Sequence, residues 1–224
     1  MVEHLRNDTK TWMFGTTSDF SKEIIKNLDN PICFGRHNVE YDDPDKFIKE
    51  HVVDNTPVNM VINVNLNNKS TNHSIQTLPG YKKYFMNITA NIFFFFRLLD
   101  EMNTLKIPVR VCYITSTFAN TRWYNGKEKM RPNIYVNNLK IDKDHVFEYS
   151  SARLIQQSAM NSNISETCRV IGVNPARIEE DDNITLYALR ISEMVTKPVD
   201  DEQWNRVHCL SGPIIYSQPM WEEE

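Results

Sequence analysis

Residues 58–64 read VNMVINV and residues 107–114 read IPVRVCYI, two largely apolar runs that together hold a single charged side chain. A strand with one solvated face alternates apolar and polar residues, and these two runs do not. Such runs are typical of strands that helices cover on both faces of a parallel sheet. The two runs therefore predict the centre of an α/β fold.

Outward from this pair, short apolar strands alternate with amphipathic helices. The predicted strands are Trp12–Phe14, Pro31–Phe34, Asn38–Tyr41, Val58–Val64, Ile107–Ile114, Arg169–Val173 and Val207–Leu210. The predicted helices are Phe20–Leu28, a helix that begins at Pro44, Tyr84–Met102, Tyr149–Met160 and Leu186–Val195. This alternation predicts one domain over residues 1–224, a Rossmann-like, doubly wound and mostly parallel sheet in the order 3-2-1-4-5-6-7.

Two segments interrupt the alternation. Residues 65–83 are polar and typical of a loop, and residues 117–147 form a long insertion. A long loop in a compact domain is usually a lid, a binding loop or an interface.

Composition excludes several classes of protein. The formal charge of −4 argues against a general nucleic-acid binder, which needs a basic surplus. The longest uninterrupted apolar run, residues 92–96, is too short to span a membrane, and the N-terminus has no signal pattern, so we expect a cytoplasmic protein. The four cysteines are far apart, and buried free thiols are favoured over disulfides or a metal site. With 24 Asn and six Gly, the sequence suggests an AT-rich genome such as that of a phage or another virus.

The run Tyr149-Ser150-Ser151-Ala152-Arg153 places a phenol and a cation four residues apart at the start of a predicted helix. A neighbouring positive charge lowers the pKa of a phenol, so Tyr149 could exchange a proton with a carbonyl or an alcohol. Ser116, just after a buried strand, could hold the same oxygen. The motif alone is weakly specific.

The order of these landmarks resembles the short-chain dehydrogenase/reductase family of single-domain enzymes, over most of the chain. The resemblance implies that Ser116 binds the substrate oxygen and that Tyr149 is the acid/base. It also implies that Asn87 holds a water in a proton relay, although a solvated helical Asn is an equal alternative. Arg153 stands where the family has Lys, and Ser116 precedes Tyr149 by 33 residues instead of about a dozen.

The resemblance places the cofactor along the first turn of the fold. The family motif G-x-x-x-G-x-G lets the backbone approach a pyrophosphate, and here residues 15–21 read GTTSDFS, so only its first glycine remains. The implied cofactor-binding residues are Gly15, Thr16, Ser18 and Phe20. The alternative is a plain capped helix with Ser18 or Asp19 as its N-cap.

Further implied cofactor contacts follow the other strands. Arg36 would pair with the 2′-phosphate of NADP, or it is a solvated turn residue. Asp42 would contact the adenine, although Asp42 and Asp43 before Pro44 also suit a helix start. Asn63 matches the first Asn of the family's N-N-A-G turn, and Pro175 and Ile178 lie in a segment that resembles the turn beside the nicotinamide.

Two functions remain open at this stage. The first is an NADP-dependent oxidoreductase that transfers a hydride between the nicotinamide and a small carbonyl or alcohol substrate. The alternative is a dehydrogenase-like protein that has lost catalysis and serves in binding, regulation or assembly. The resemblance also implies a homo-oligomer, because the family pairs its long helices across a two-fold axis. Four consecutive phenylalanines, residues 93–96, cannot all face one sheet, and a second copy could bury those that face away. The alternative is that residues 65–83 or the insertion after Thr117 cover them.

Overall fold

The computed structural model describes residues 9–35, 37–64, 92–115, 153, 155–175, 181–196, 204–211 and 214–219. The other residues carry several of the predicted features. Outside the described residues lie Arg36, Asn87, Ser116, Tyr149, Ile178, residues 65–83 and the insertion 117–147.

The described residues form a single sheet of seven strands in the order β2-β1-β3-β4-β5-β6-β7. The strands are β1 (Lys10–Phe14), β2 (Ile32–Phe34), β3 (Val58–Ile62), β4 (Val109–Ile114), β5 (Cys168–Asn174), β6 (Arg206–Ser211) and β7 (Ile214–Pro219). Every neighbouring pair is parallel except β6 and β7, which are antiparallel. This confirms the predicted Rossmann-like α/β class.

Helices cover both faces of the sheet. They are α1 (Asp19–Lys26), α2 (Pro44–His51), α3 (Phe94–Thr104), α4 (155–162, with Arg153 also helical) and α5 (Asp181–Val195). One hydrophobic core joins α2 and α3 to side chains such as Trp12, Val111 and Val170. A second core, on the opposite face, joins α1 and α5 to Met13, Val61 and Ile171. All five residues of β3 are buried, as the uninterrupted run 58–64 predicts.

The strand predicted at Asn38–Tyr41 is wrong. The side chain of Asn38 accepts a hydrogen bond from the N–H of Gly35 over 2.6 Å and donates one to the carbonyl of Cys33 over 3.0 Å. The N–H of Asn38 also donates to the carbonyl of Gly35 over 3.1 Å. These bonds close a turn, and among the described residues β2 is the edge strand of the sheet. The predicted order 3-2-1-4-5-6-7 loses its third strand, and the unpredicted strand β7 adds one at the other edge.

The cysteines with described side chains are free thiols. Cys112 and Cys168 are buried free thiols, and Cys33 is a half-buried one. Burial raises the pKa of Cys112 and of Cys168 to about 12. Among the described residues, no helix is long and apolar enough to cross a membrane, and no group of side chains has the composition of a metal site.

Candidate functional site

The chain leaves β1 toward β2 on one side and later returns to β3 on the other. In an open parallel sheet, this reversal opens a crevice at the carboxyl ends of the two diverging strands. Two hydrogen bonds fix the strand ends there. The N–H of Gly15 donates to the carbonyl of Phe34 over 2.9 Å, and the N–H of Asn63 donates to the carbonyl of Phe14 over 2.9 Å.

Gly15 is required by the backbone at this point. Its φ is +82°, in the left-handed region that favours glycine. A Cβ at this position would also collide with the carbonyl oxygen of Asn63 and lie 3.0 Å from the N of Val64. Gly15 therefore turns the chain from β1 toward α1 and allows the backbone at the end of β3 to lie close to its own.

Three polar side chains close the floor of the crevice. Ser18 is the N-cap of α1, and its Oγ accepts a hydrogen bond from the N–H of Ser21 over 3.1 Å. The hydroxyls of Ser18 and Ser21 lie 2.8 Å apart, and the Nδ2 of Asn63 donates to the Oγ of Ser21 over 2.8 Å. Ser21 is buried and stands where the family motif has its third glycine. The observed helix cap therefore lies within the segment, residues 15–21, that is predicted to bind the cofactor.

The N-terminus of α1 is only partly available to an anion. The N–H of Ser21 bonds to the Oγ of Ser18, and the N–H of Lys22 donates to the carbonyl of Ser18 over 3.0 Å. The N–H groups of Asp19 and Phe20 are not used by these two bonds. A dinucleotide pyrophosphate would therefore meet two backbone donors here.

Asp19 places a negative charge beside those donors. Its carboxylate is exposed and accepts a hydrogen bond from the Nζ of Lys22 over 2.8 Å. This bond lowers the pKa of Asp19 below its usual range. The positive end of the helix dipole stabilises this carboxylate, but the carboxylate repels a second anion that binds at the same place.

The other predicted cofactor residues lie around this turn. The side chain of Phe20 is buried in the core with Met13 and Ile24, so it offers the crevice only its backbone. The Oγ of Thr16 lies 2.9 Å from where a Cβ on Gly35 would stand, beside the end of β2. Pro175 is buried directly after β5.

Asp42 lies beyond the end of β2, exposed in the turn before α2. A shallow cavity of about 170 Å³ lies next to it, between residues 37–40 and α2. Its lining is apolar at Val39 and Phe47 but carries the carboxylates of Glu40, Asp43 and Glu50, with Lys46 bonded to Glu40 over 2.6 Å. These carboxylates disfavour a phosphate in the cavity.

Arg153 lies at the carboxyl end of β4. Its side chain is buried, with 5% of the residue exposed. Its Nη1 donates to the carbonyl of Ile114 over 2.5 Å and to the Oε1 of Gln156 over 3.0 Å. The helix that contains Arg153 is therefore attached to the strand end that Ser116 follows two residues later.

Tyr113 and Thr115 belong to the same buried region. Tyr113 packs in the core on the α3 face of the sheet, and by strand alternation Thr115 points the same way. Burial raises the pKa of Tyr113, while the charge of Arg153 acts in the opposite direction. Neither hydroxyl has a hydrogen-bond partner among the described residues.

Solved structures with a similar fold include short-chain dehydrogenases and reductases. No protein-family model matches the sequence, and no curated protein matches it. A short chain dehydrogenase from Mycobacterium avium superposes with a TM-score of 0.54 at 11% identity, over 96% of this chain and 86% of that one. A short-chain dehydrogenase from Streptomyces avermitilis gives 0.52 at 10% identity, over 93% and 90%. Salutaridine reductase from Papaver somniferum gives 0.50 at 13% identity, over 86% and 97%. At such identities the likeness shows the fold alone.

The described residues thus bring Gly15, Ser18 and Asn63 together and place Arg153 at the end of β4. The other predicted catalytic residues lie outside them. Sequence reasoning did not identify Ser21 or Gln156 as partners of predicted site residues. Gln156 follows Arg153 by three positions on a helix, a spacing that could have indicated the contact.

Proposed function

We propose that the protein is an NADP-dependent oxidoreductase of the short-chain dehydrogenase/reductase type, acting on a small carbonyl or alcohol substrate. The contact between Arg153 and the carbonyl of Ile114 carries the proposal. It attaches the helix on which Tyr149 is predicted, one turn before Arg153, to the strand end that leads to Ser116. Both residues would then face one site at the carboxyl edge of the sheet.

The residues of the crevice fit a dinucleotide in part. The turn at Gly15 and the N–H groups of Asp19 and Phe20 suit a pyrophosphate, and Asn63 lies where the ribose is expected. Two features weaken the fit to a dinucleotide. The carboxylate of Asp19 repels the pyrophosphate, and Ser21 places a side chain where the family motif has a glycine. Arg36 would bind the 2′-phosphate, Asp42 would contact the adenine, and Pro175 and Ile178 would border the nicotinamide.

The chemistry divides between the cofactor and the chain. A bound nicotinamide supplies or accepts the hydride. Ser116 would hold the substrate oxygen by a hydrogen bond, and Tyr149 would donate or accept the proton at that oxygen. Asn87 would hold a water that exchanges this proton with solvent.

The second candidate is a dehydrogenase-like protein without catalytic activity. Its support is also the geometry of Arg153, since a guanidinium that donates to the carbonyl of Ile114 and to Gln156 stands where the family has a lysine that binds the cofactor. Such a protein would keep the fold for binding, regulation or assembly.

Thermal unfolding with and without NADPH separates the two functions. A ligand at a hundredfold excess over its Kd stabilises the folded state by about 2.7 kcal/mol, which raises the Tm of a domain of this size by roughly 5–10 °C. We expect such a rise with NADPH, a smaller one with NADH, and oxidation of NADPH when a panel of aldehydes and ketones is added. An unchanged Tm with both cofactors would favour the second candidate.

We also propose that the protein is a homo-oligomer. Phe93, the N-cap of α3, is 60% exposed and Phe96 on α3 is 40% exposed, while Phe94 and Phe95 are buried. This confirms that the four phenylalanines do not all face the sheet. A second copy packed on α3 would bury the two exposed rings.

A further inference from the structure

We propose that Arg153 is a positioning residue that caps β4 and fixes the peptide leading to Ser116. The inference concerns the site of the proposed oxidoreductase and rests on that function for its catalytic consequence. Its structural part stands on contacts within the described residues alone.

The peptide group between Ile114 and Thr115 is held at both of its polar atoms. Arg153 donates to the Ile114 carbonyl, and the N–H of Thr115 donates to the carbonyl of Val173 over 2.8 Å. The second bond continues the β4–β5 ladder, whose last pair is Ile114 and Val173. The β3–β4 ladder ends one residue earlier, at Ile62 and Tyr113. Arg153 thus supplies a donor at the residue where one of the two ladders has stopped.

Gln156 holds the guanidinium in this position. Its Oε1 accepts from the same Nη1 that donates to Ile114, and Gln156 is completely buried. The two residues lie three positions apart on one helix, so the bond between them also fixes the side-chain direction of Arg153. A guanidinium is planar and presents several N–H groups in a fixed fork, which suits two acceptors at once.

A lysine is a poor substitute in this geometry. Its ammonium is a compact and strongly hydrated charge on a flexible stem, so burying it costs more and orients it less. The family resemblance alone would lead to the opposite expectation, because Arg153→Lys restores the family's residue. The two roles therefore predict different outcomes for one substitution.

The test compares Arg153→Lys, Arg153→Met and Gln156→Leu with the parent. The control is Arg97→Lys, which changes an arginine on α3 that is 41% exposed and paired with acidic side chains. Amide hydrogen exchange of Thr115 is the first readout, since it follows the peptide itself and needs neither cofactor nor substrate. We expect at least tenfold faster exchange in all three variants at the site and no change in the control.

Catalysis supplies the second readout. For Arg153→Lys we expect at least a tenfold lower kcat with an unchanged pH profile, because the charge is kept and the geometry is lost. The Kd for NADPH should change less than twofold. The double variant Arg153→Lys with Gln156→Leu should have the same kcat as Arg153→Lys alone. Both changes disrupt the same contact, the bond from Arg153 to the carbonyl of Ile114.

Unchanged exchange at Thr115 in Arg153→Lys and Gln156→Leu would overturn the inference, as would a kcat equal to or above that of the parent. A pH profile that shifts in Arg153→Met, which removes the charge, but not in Gln156→Leu, which keeps it, would assign Arg153 to the titration of Tyr149 instead. If Arg153→Met does not fold, Gln156→Leu still decides the matter. A parent without NADPH binding or turnover would contradict the proposed function, whereas the exchange of Thr115 would still decide whether Arg153 fixes this peptide.

Discussion

The carbonyl oxygen of Asn63 occupies the space in which a side chain on Gly15 would begin. This close approach occurs where β1 and β3 diverge, at the crevice in which a dinucleotide is expected. Gly15 is therefore needed by the fold itself, whether or not a cofactor binds beside it.

Gly15→Ala should destabilise the protein. The substitution forces a Cβ into the left-handed region and against the backbone of β3, which together cost roughly 2–5 kcal/mol. Chemical denaturation monitored by circular dichroism measures this loss. Gly35→Ala is the matched control, since its Cβ would meet side-chain atoms, the Oγ of Thr16 at 2.9 Å and the Oδ1 of Asn38 at 3.8 Å, where Gly15→Ala meets backbone. Equal losses in the two variants would show that Gly15 has no special backbone role.

Most of the fold could be predicted from the sequence because its central strands carry a strong signal. The runs 58–64 and 107–114 hold three polar residues, Asn59, Asn63 and Arg110. The structure buries all of β3 and all of β4 except Arg110, which is half-buried. The prediction failed at the sheet edges, where the signal is local and short. Val39 and Tyr41 alternate with polar residues like a strand, but the side-chain bonds of Asn38 favour a turn.

The candidate site was less predictable than the fold. Gly15 and Ser18 could be identified because a turn glycine and an N-cap have local signatures. The bond between Asn63 and Ser21 joins residues 42 positions apart, and no periodicity indicates it. The bond between Arg153 and Ile114 is equally hard to predict from the sequence, since it depends on where the β3–β4 ladder ends.

Asp19→Asn should strengthen the binding of NADPH. The change removes a negative charge from the helix N-terminus at which the pyrophosphate is expected. The bond to Lys22 holds the pKa of this carboxyl below its usual range. We expect about a two- to fivefold lower Kd by fluorescence titration at low salt. Glu23→Gln, one turn away from the helix end, is the control. A weaker affinity in Asp19→Asn would place the pyrophosphate elsewhere.

NADP(H) should bind in preference to NAD(H) through Arg36. Arg36→Ala should cost on the order of 1–3 kcal/mol of NADPH binding, as for other hydrogen bonds to charged groups, and little for NADH. Isothermal titration with both cofactors measures the difference. Equal losses for the two cofactors, or tighter NADH binding by the parent, would contradict the assignment of Arg36 to the 2′-phosphate.

Tyr149→Phe should abolish reductase activity and leave the fold intact. The substitution removes only the hydroxyl that would exchange a proton with the substrate oxygen. Turnover of NADPH and the Tm are the measurements. Tyr187→Phe is the control and should keep its activity. Tyr187 is a buried tyrosine of α5, in the core between α1, α5 and the sheet. An active Tyr149→Phe variant would show that another group supplies the proton.

The exposed phenylalanines of α3 predict the state of assembly. If a second copy covers Phe93 and Phe96, replacing both with lysine removes roughly 1–2 kcal/mol of apolar burial per ring and places charges in the interface. We expect light scattering at micromolar concentration to give a mass above 26.3 kDa for the parent and a monomer of 26.3 kDa for the double variant. Leu189→Lys is the control, because Leu189 is 42% exposed on α5, which covers the other face of the sheet. A parent that scatters as a 26.3 kDa monomer has no stable oligomer. If Leu189→Lys dissociates and the double variant does not, the interface lies on α5 and not on α3.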